Sequence, residues 1–375
     1  MLEGIKVVDF SNYLPGPYAT MRLAELGAEI IKIEAPGGDP ARSLDVQLEG
    51  TGIVFLANNH RKKSMTLNLK TIEGRDIAKK LIAEADAVLE SFRPGVMRKL
   101  GLDYDSVAEM NPGLVYCSLT GYGNSGKQQH FGSHDLNYMA LSGMLAQLKD
   151  SDGKPIHPSH TMADYIGGVA ASERILAGLV SRGVNGKGSY HCIAITDVMT
   201  SMMGNHLVMN QAAGVTNGVD VLSGSIINYA IYETKDHRFI ALAALEEKFW
   251  RNFCQAADKA EWMGYYNAKT TDEIYTEVEK LFQSKLFSEW ISFSETVDCC
   301  MTPILEIDEL AQFSYFKDRE SIVDVNNIQH AKSFADREGA SSTPPPLKGE
   351  HTEMIIKQVL GKELNLGLLR EKGII

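Results

Sequence analysis

The sequence has no apolar run long enough to cross a membrane. Its longest strongly apolar stretch, Phe239–Leu245, is far short of the roughly 20 residues a span needs. The opening Met1-Leu-Glu-Gly-Ile-Lys6 carries no basic flank followed by an apolar core, so a secretory signal is not expected. Cysteine is scarce and unpatterned: Cys117, Cys192, Cys254, Cys299 and Cys300 make an odd five with no CxxC. That excludes a disulfide scaffold and a zinc ribbon, and the expectation is a reducing, cytoplasmic setting with no bound metal. A positive excess is also missing. Lys and Arg total 37 against 48 Asp and Glu, a net charge of −11, which argues against a nucleic-acid partner. Glycine fingerprints are absent where they would matter. The first loop, Ser11-Asn-Tyr-Leu-Pro-Gly-Pro17, stands where a dinucleotide fold would carry G-x-G-x-x-G, and no phosphate-loop G-x-x-x-x-G-K-[ST] occurs. An ordinary NAD enzyme is thereby disfavoured, and Gly183-Val-Asn-Gly-Lys-Gly188 is a helix-to-strand turn.

What is present is an ordinary globular composition. The chain has 375 residues, 44% of them hydrophobic, enough for roughly two domains of about 150 residues each. Ile5–Phe10, Tyr18–Leu26 and Glu29–Glu34 read as strand, helix, strand, with Gly27 a natural helix stop. Strands at Ser64–Leu69, Asp86–Phe92 and Leu114–Leu119, with a Thr71-capped helix to about Ala85, continue the alternation. This predicts an α/β domain with a mostly parallel sheet covered on both faces. Further on, Asn228–Thr234 and Phe239–Ala243 flank a polar turn, which predicts a β-hairpin. Helices are predicted at Glu247–Ala257, Asp272–Gln283 and Phe287–Thr296. The expected organisation is a large α/β domain over 1–214 and a small α+β domain over 215–320. A C-terminal segment, 321–375, returns to the large domain. It opens on a stiff linker around Ser341–Leu347 and closes on a helix, Glu350–Leu360.

Chemistry-bearing residues are few. His60-Arg-Lys-Lys63, Lys70, Arg93, Arg98 and Lys99 form either a cationic rim suited to phosphate or a solvated polar edge. His134 and Asp135 stand in Gly132-Ser-His-Asp-Leu-Asn-Tyr138, and Asp164 in Met162-Ala-Asp-Tyr-Ile-Gly-Gly168. The Gly167-Gly168 pair is expected to let a ligand approach backbone N–H groups at a helix start. Glu246 ends the second hairpin strand. Each of these alone also fits a satisfied core or surface group.

Together the motifs resemble the class III coenzyme A transferase (CaiB/BaiF) family. The resemblance rests on Leu2–Phe10, Pro15-Gly-Pro17, Leu26–Glu34 and Gly38-Asp-Pro-Ala-Arg42. Leu67-Asn-Leu-Lys70, Ser91-Phe-Arg-Pro-Gly95, Leu100–Asp103 and Gly349-Glu-His-Thr352 extend it. It runs from residue 2 to about 360. It implies a Rossmann-like large domain, a smaller α+β domain and an interlaced, ring-like homodimer. The implied substrate is an acyl-CoA thioester, with coenzyme A entering as part of the substrate and no permanently bound cofactor. The family contains CoA transferases, in which the residue at Asp164 is the nucleophile, and α-methylacyl-CoA racemases, in which it is an acid/base. The Gly-x-His-Asp-x-Asn-Tyr pattern around His134 is similar to the racemase branch, where Glu246 would pair with that histidine across the dimer. The implied reaction is racemisation of 2-methyl-branched acyl-CoA, with CoA transfer between carboxylic acids as the alternative. Arg42, Leu67, Lys70, Ser91, Phe92, Arg93 and Lys99 would follow the nucleotide and pantetheine, and Tyr138 would lie near the thioester. Two departures stand out: Glu247 replaces an expected Pro, and Ala35 stands where many members carry an Arg, for which Arg42 or Arg61 would substitute.

Overall fold

The computed structural model describes residues 1–44, 46–150, 152–334, 343–361 and 366–375. Ser341 and Ser342 of the expected linker lie outside the described residues. The chain divides into two compact units, one of residues 1–204 with 319–375 and one of residues 205–318.

The first unit begins with β1 (Lys6–Asp9), α1 (Pro15–Glu25) and β2 (Glu29–Glu34). There follow β3 (Lys63–Thr66), α2 (Ile72–Ala83), β4 (Ala87–Glu90) and β5 (Val115–Thr120). The series continues through α3 (Asp135–Leu141), the long α4 (Met162–Asn185), β6 (Ser189–Ala194) and α5 (Ile195–Ser201). The six strands form one parallel sheet in the order β3-β2-β1-β4-β5-β6. Central strands are apolar on both faces because helices cover both. Val8, Ile31, Met65 and Val88 meet α2 on one side, while Val7, Ile30, Leu89 and Val115 meet α1 and α4 on the other. Each such fully buried aliphatic side chain contributes about 1.5–3 kcal/mol. Thr71 caps α2 by accepting from the Gly74 N–H at 3.0 Å, and Gly186 ends α4 at φ +72°, so the helix-to-strand turn is Gly186–Gly188, with Gly183–Asn185 still helical.

The second unit contains β7 (Tyr229–Glu233) and β8 (Phe239–Ala243), paired antiparallel as the predicted hairpin. Next come α6 (Glu247–Ala256), α7 (Glu273–Gln283), α8 (Phe287–Thr296) and β9 (Met301–Pro303), which adds to β8. Trp250, Phe253, Phe282 and Trp290 form its buried aromatic core. The chain then re-enters the first unit through a hairpin, β10 (Ile322–Val325) and β11 (Ile328–Ala331), followed by α9 (Thr352–Leu360) and α10 (Leu366–Glu371). Backbone bonds tie this return to the sheet edge: the His351 N–H reaches the Ser64 carbonyl at 2.9 Å and the Asn68 N–H reaches that of Ile374 at 2.8 Å. Among the described residues no helix is long and apolar enough to cross a membrane.

Candidate active site

In an open parallel sheet a ligand crevice forms beyond the carboxyl ends of the strands, where the strand order reverses. Here that point lies between β1 and β4. A cavity of ≈ 520 Å³ opens there, walled by Asn12–Pro15 after β1, Ser91–Pro94 after β4 and Leu119–Tyr122 at the end of β5. His134, Tyr138 and Asp164 line the same cavity.

Local structure explains how each is presented. His134 is the extended residue that caps α3, and its N–H donates to the Asn137 side-chain oxygen at 3.0 Å. This leaves the imidazole exposed on the cavity side of the helix start. Asp164 sits in the first turn of α4. Its N–H donates to the carboxylate of buried Asp135 at 3.0 Å, which locks the starts of α3 and α4 together. Burial, with the Asp135 charge adding to it, pushes the Asp164 carboxyl up to about 7. Tyr138 is buried; its hydroxyl receives from Ser133 Oγ at 3.0 Å and donates to the Ser133 carbonyl at 3.3 Å. Gly121 makes that placement possible: a Cβ there would stand 2.5 Å from the Tyr138 ring and 2.6 Å from Ser133 Oγ.

Of the other expected ligand residues, Ser91, Phe92 and Arg93 line the cavity. Lys70 and Lys99 are exposed. Glu246 lies in the second unit, exposed, as the N-cap of α6, and its side chain makes no cap hydrogen bond.

Four of the expected groups are engaged elsewhere in the structure. Leu67 is fully buried in the core against α2, so its side chain is packing and not a pantetheine contact. Arg42 is committed elsewhere. Its guanidinium forks onto Glu34 with two bonds of 2.7 Å, donates to the Pro346 carbonyl at 3.0 Å and lies 3.5 Å over the Phe55 ring. The cationic rim shrinks: His60 and Lys62 are buried, His60 against Glu25 at 3.0 Å, and Lys63 pairs with Glu29 at 2.6 Å. Finally, Gly167 and Gly168 do not offer free N–H groups. They lie in the second turn of α4, where a Cβ on Gly167 would stand 2.8 Å from Ile195, and one on Gly168 2.6 Å from the Pro15 carbonyl oxygen. Their smallness serves helix packing.

One buried group escaped the sequence reading. Glu90, at the end of β4, accepts from Ser118 Oγ and from the Phe92 N–H at 2.8 Å. Burial pushes its carboxyl up to about 7, against the pull of those two bonds. It faces a neighbouring cavity of ≈ 460 Å³ that shares Arg93, Pro94 and Gln129 with the first. The only sequence signal was an acid closing an otherwise apolar strand.

The family model of CoA-transferase family III matches residues 2–352. The chain belongs to CoA-transferase family III. Relatives of this family III chain carry two kinds of name. Succinyl-CoA:glutarate CoA-transferase of Mus musculus is 29% identical over 96% of this chain and 86% of its own length. Alpha-methylacyl-CoA racemase of Homo sapiens is 30% identical over 95% of this chain and 93% of its own. Among solved structures, a CAIB/BAIF family protein from Brucella suis superposes with a TM-score of 0.84 at 25% identity, covering 96% of this chain and 99% of that one. Among the described residues no cluster of three His, Cys, Asp or Glu is placed to hold a metal ion.

Proposed function

We propose that this family III protein racemises 2-methyl-branched acyl-CoA thioesters by 1,1-proton transfer. The observation that carries the reading is that an imidazole, His134, and a carboxyl held near neutrality, Asp164, open onto one cavity. A thioester α-proton is weakly acidic. Its removal needs a positioned base, and its return to the opposite face needs a second group that is protonated at that moment. In one direction neutral His134 takes the α-proton, the electron pair moves into the thioester carbonyl as an enolate, and protonated Asp164 delivers its proton to the other face. In the reverse direction ionised Asp164 is the base and the imidazolium of His134 the acid. The pair carries one proton throughout, which is why a carboxyl near 7 suits the task and one near 4 would not. The start of α4 adds a favourable field for the enolate's negative charge.

Glu246 completes the proposal. Contributed by the partner chain of an interlaced homodimer, it would accept a hydrogen bond from the far nitrogen of His134, fix its tautomer and stabilise the imidazolium. Ser91, Phe92, Arg93, Lys70 and Lys99 would follow the CoA nucleotide, and Tyr138 the thioester.

The second reading is CoA transfer between carboxylic acids. It is favoured by the same half-buried carboxyl, since Asp164 would attack an acyl-CoA to form a mixed anhydride and release CoA thiolate. A relative named as a CoA-transferase supports it too. Incubation of a single stereoisomer of a 2-methylacyl-CoA in D2O, with no acceptor acid, separates the two. Deuterium uptake at the α-carbon with loss of chirality is expected. No uptake, together with acceptor-dependent CoA exchange and hydroxylamine-trapped adduct at Asp164, would overturn the racemase reading.

A further inference from the structure

Beneath the cavity's β1 wall lies a cluster of fully buried charges that the chemistry above does not use. Asp9, Lys32, Asp39 and Lys62 are all closed to solvent. Lys62 Nζ donates to the Pro17 carbonyl at 2.7 Å and to Asn59 at 2.9 Å, and stands 3.3 Å from Asp9. Lys32 Nζ donates to the Ser11 carbonyl at 2.8 Å and pairs with Asp39 at 2.8 Å. Asp9 accepts from the Ser11 N–H at 2.8 Å and from Thr20 Oγ1 at 2.6 Å. Asp39 accepts from the Tyr13 N–H at 3.1 Å, where the backbone is held at φ +65°. Loop 11–14 is therefore gripped at Ser11 and Tyr13, and the first turn of α1 at Pro17, by four buried ions.

The first turn of α1 in turn touches the helix that carries Asp164. The Pro15 carbonyl lies so close to Gly168 that a Cβ there would stand 2.6 Å from it. Tyr18 packs edge-on against Tyr165 at 4.8 Å between ring centroids. Gly168 is one turn beyond Asp164, and Tyr165 is its neighbour. We propose that Lys62 and Lys32, with Asp9 and Asp39, are positioning residues that set Asp164 in the cavity by fixing loop 11–14 and the first turn of α1 against the first two turns of α4. The proposal rests on the reading of Asp164 as the reacting carboxyl.

The physical logic is one of specificity over stability. Removing two ammonium groups and two carboxylates from water is expensive, and apolar side chains of similar size would often serve stability as well. What apolar side chains do not supply is a donor for each loop carbonyl and an acceptor for each loop N–H. Burial lowers the Lys62 ammonium to about 7, opposed by Asp9 and reinforced by Lys32, in keeping with a group enclosed for its contacts.

The test is the double variant Asp9→Asn/Lys62→Met, which removes both charges and leaves neither orphaned, while deleting the donor to Pro17. Amide hydrogen exchange at Asp164 and Tyr165 is expected to quicken, and kcat to fall about tenfold or more with KM within about threefold, since small misplacements of a reacting group act on turnover. Unchanged exchange at those two amides, or wild-type kcat, would overturn the proposal. Should the double variant fail to fold, Gly168→Ala pushes the first turn of α1 from α4 with every charge in place and must give the same two signatures; wild-type behaviour there would overturn it equally. Exchange is measured without turnover. A wild type that shows no α-proton exchange therefore sinks the racemase reading alone, and unaltered amides sink this inference alone.

Discussion

The carboxylate of Asp135 accepts the backbone N–H of Asp164 at 3.0 Å. The residue after His134 is thereby tied to Asp164, across 29 positions of sequence. The tie makes the geometry of the His134–Asp164 pair a property of two helix starts and not of two flexible side chains. It also brings a second negative charge to Asp164, which adds to burial in raising its carboxyl.

Replacement of His134 by Ala should lower α-proton exchange by about 10²–10⁴-fold, the usual contribution of a positioned general acid/base. Because the side chain is exposed at a helix cap, folding should be little affected and acyl-CoA binding, measured by calorimetry, retained. Near-normal exchange in the variant would assign the base elsewhere.

Asp164 should titrate with a midpoint near 7 in a carbon-13 experiment on labelled aspartate. The stability consequence has a definite sign. The folded carboxyl holds its proton to higher pH than the unfolded one, so between about pH 4 and pH 7 the native state binds more protons and stability falls as pH rises. Asp164→Asn removes that loss. Its melting temperature should exceed that of the wild type at pH 8 and show no such gain at pH 4. An equal difference at both pH values would contradict the raised carboxyl.

Arg42→Ala should cost about 3–5 kcal/mol in denaturant melts, because Glu34 would be left charged and buried without its partner. Affinity for coenzyme A thioesters in the folded fraction should change little. A large loss of affinity at unchanged stability would restore Arg42 to the phosphates.

Gly121→Ala should drive Tyr138 from its site, because the added methyl would occupy space held by the ring and by Ser133. The expected result is a raised KM for acyl-CoA, with circular dichroism unchanged. Retention of wild-type KM would mean that Tyr138 is not a wall of the occupied cavity.

The strand-helix alternation was legible because β-branched runs, Thr71 and Gly27 mark their own boundaries. The second-unit hairpin was legible for the same reason. Pairing of His134 with Asp164 was readable only through the family resemblance, since nothing local in a 30-residue separation announces a shared cavity. The surroundings of Arg42, Leu67, Lys62 and the Gly167-Gly168 pair are not legible in the sequence for one reason. Polarity and smallness say what a side chain is able to do, while the neighbours that claim it come from distant sequence: Glu34 for Arg42, the α2 face for Leu67, Asp9 for Lys62, Pro15 for Gly168. The β10–β11 hairpin was missed although it carried a local sign. Asn326-Asn327 both adopt positive φ, as a two-residue turn requires, and asparagine tolerates it.

The sheet's outer strand, β3, is sealed by residues that lie almost 300 positions downstream: Thr352 Oγ1 accepts from the Thr66 N–H and Ser64 Oγ from the Gly349 N–H. A ribosome therefore exposes that border long before its cover emerges. Closing so long a loop is entropically slow, so this border of the sheet is the last to be completed as the chain is made.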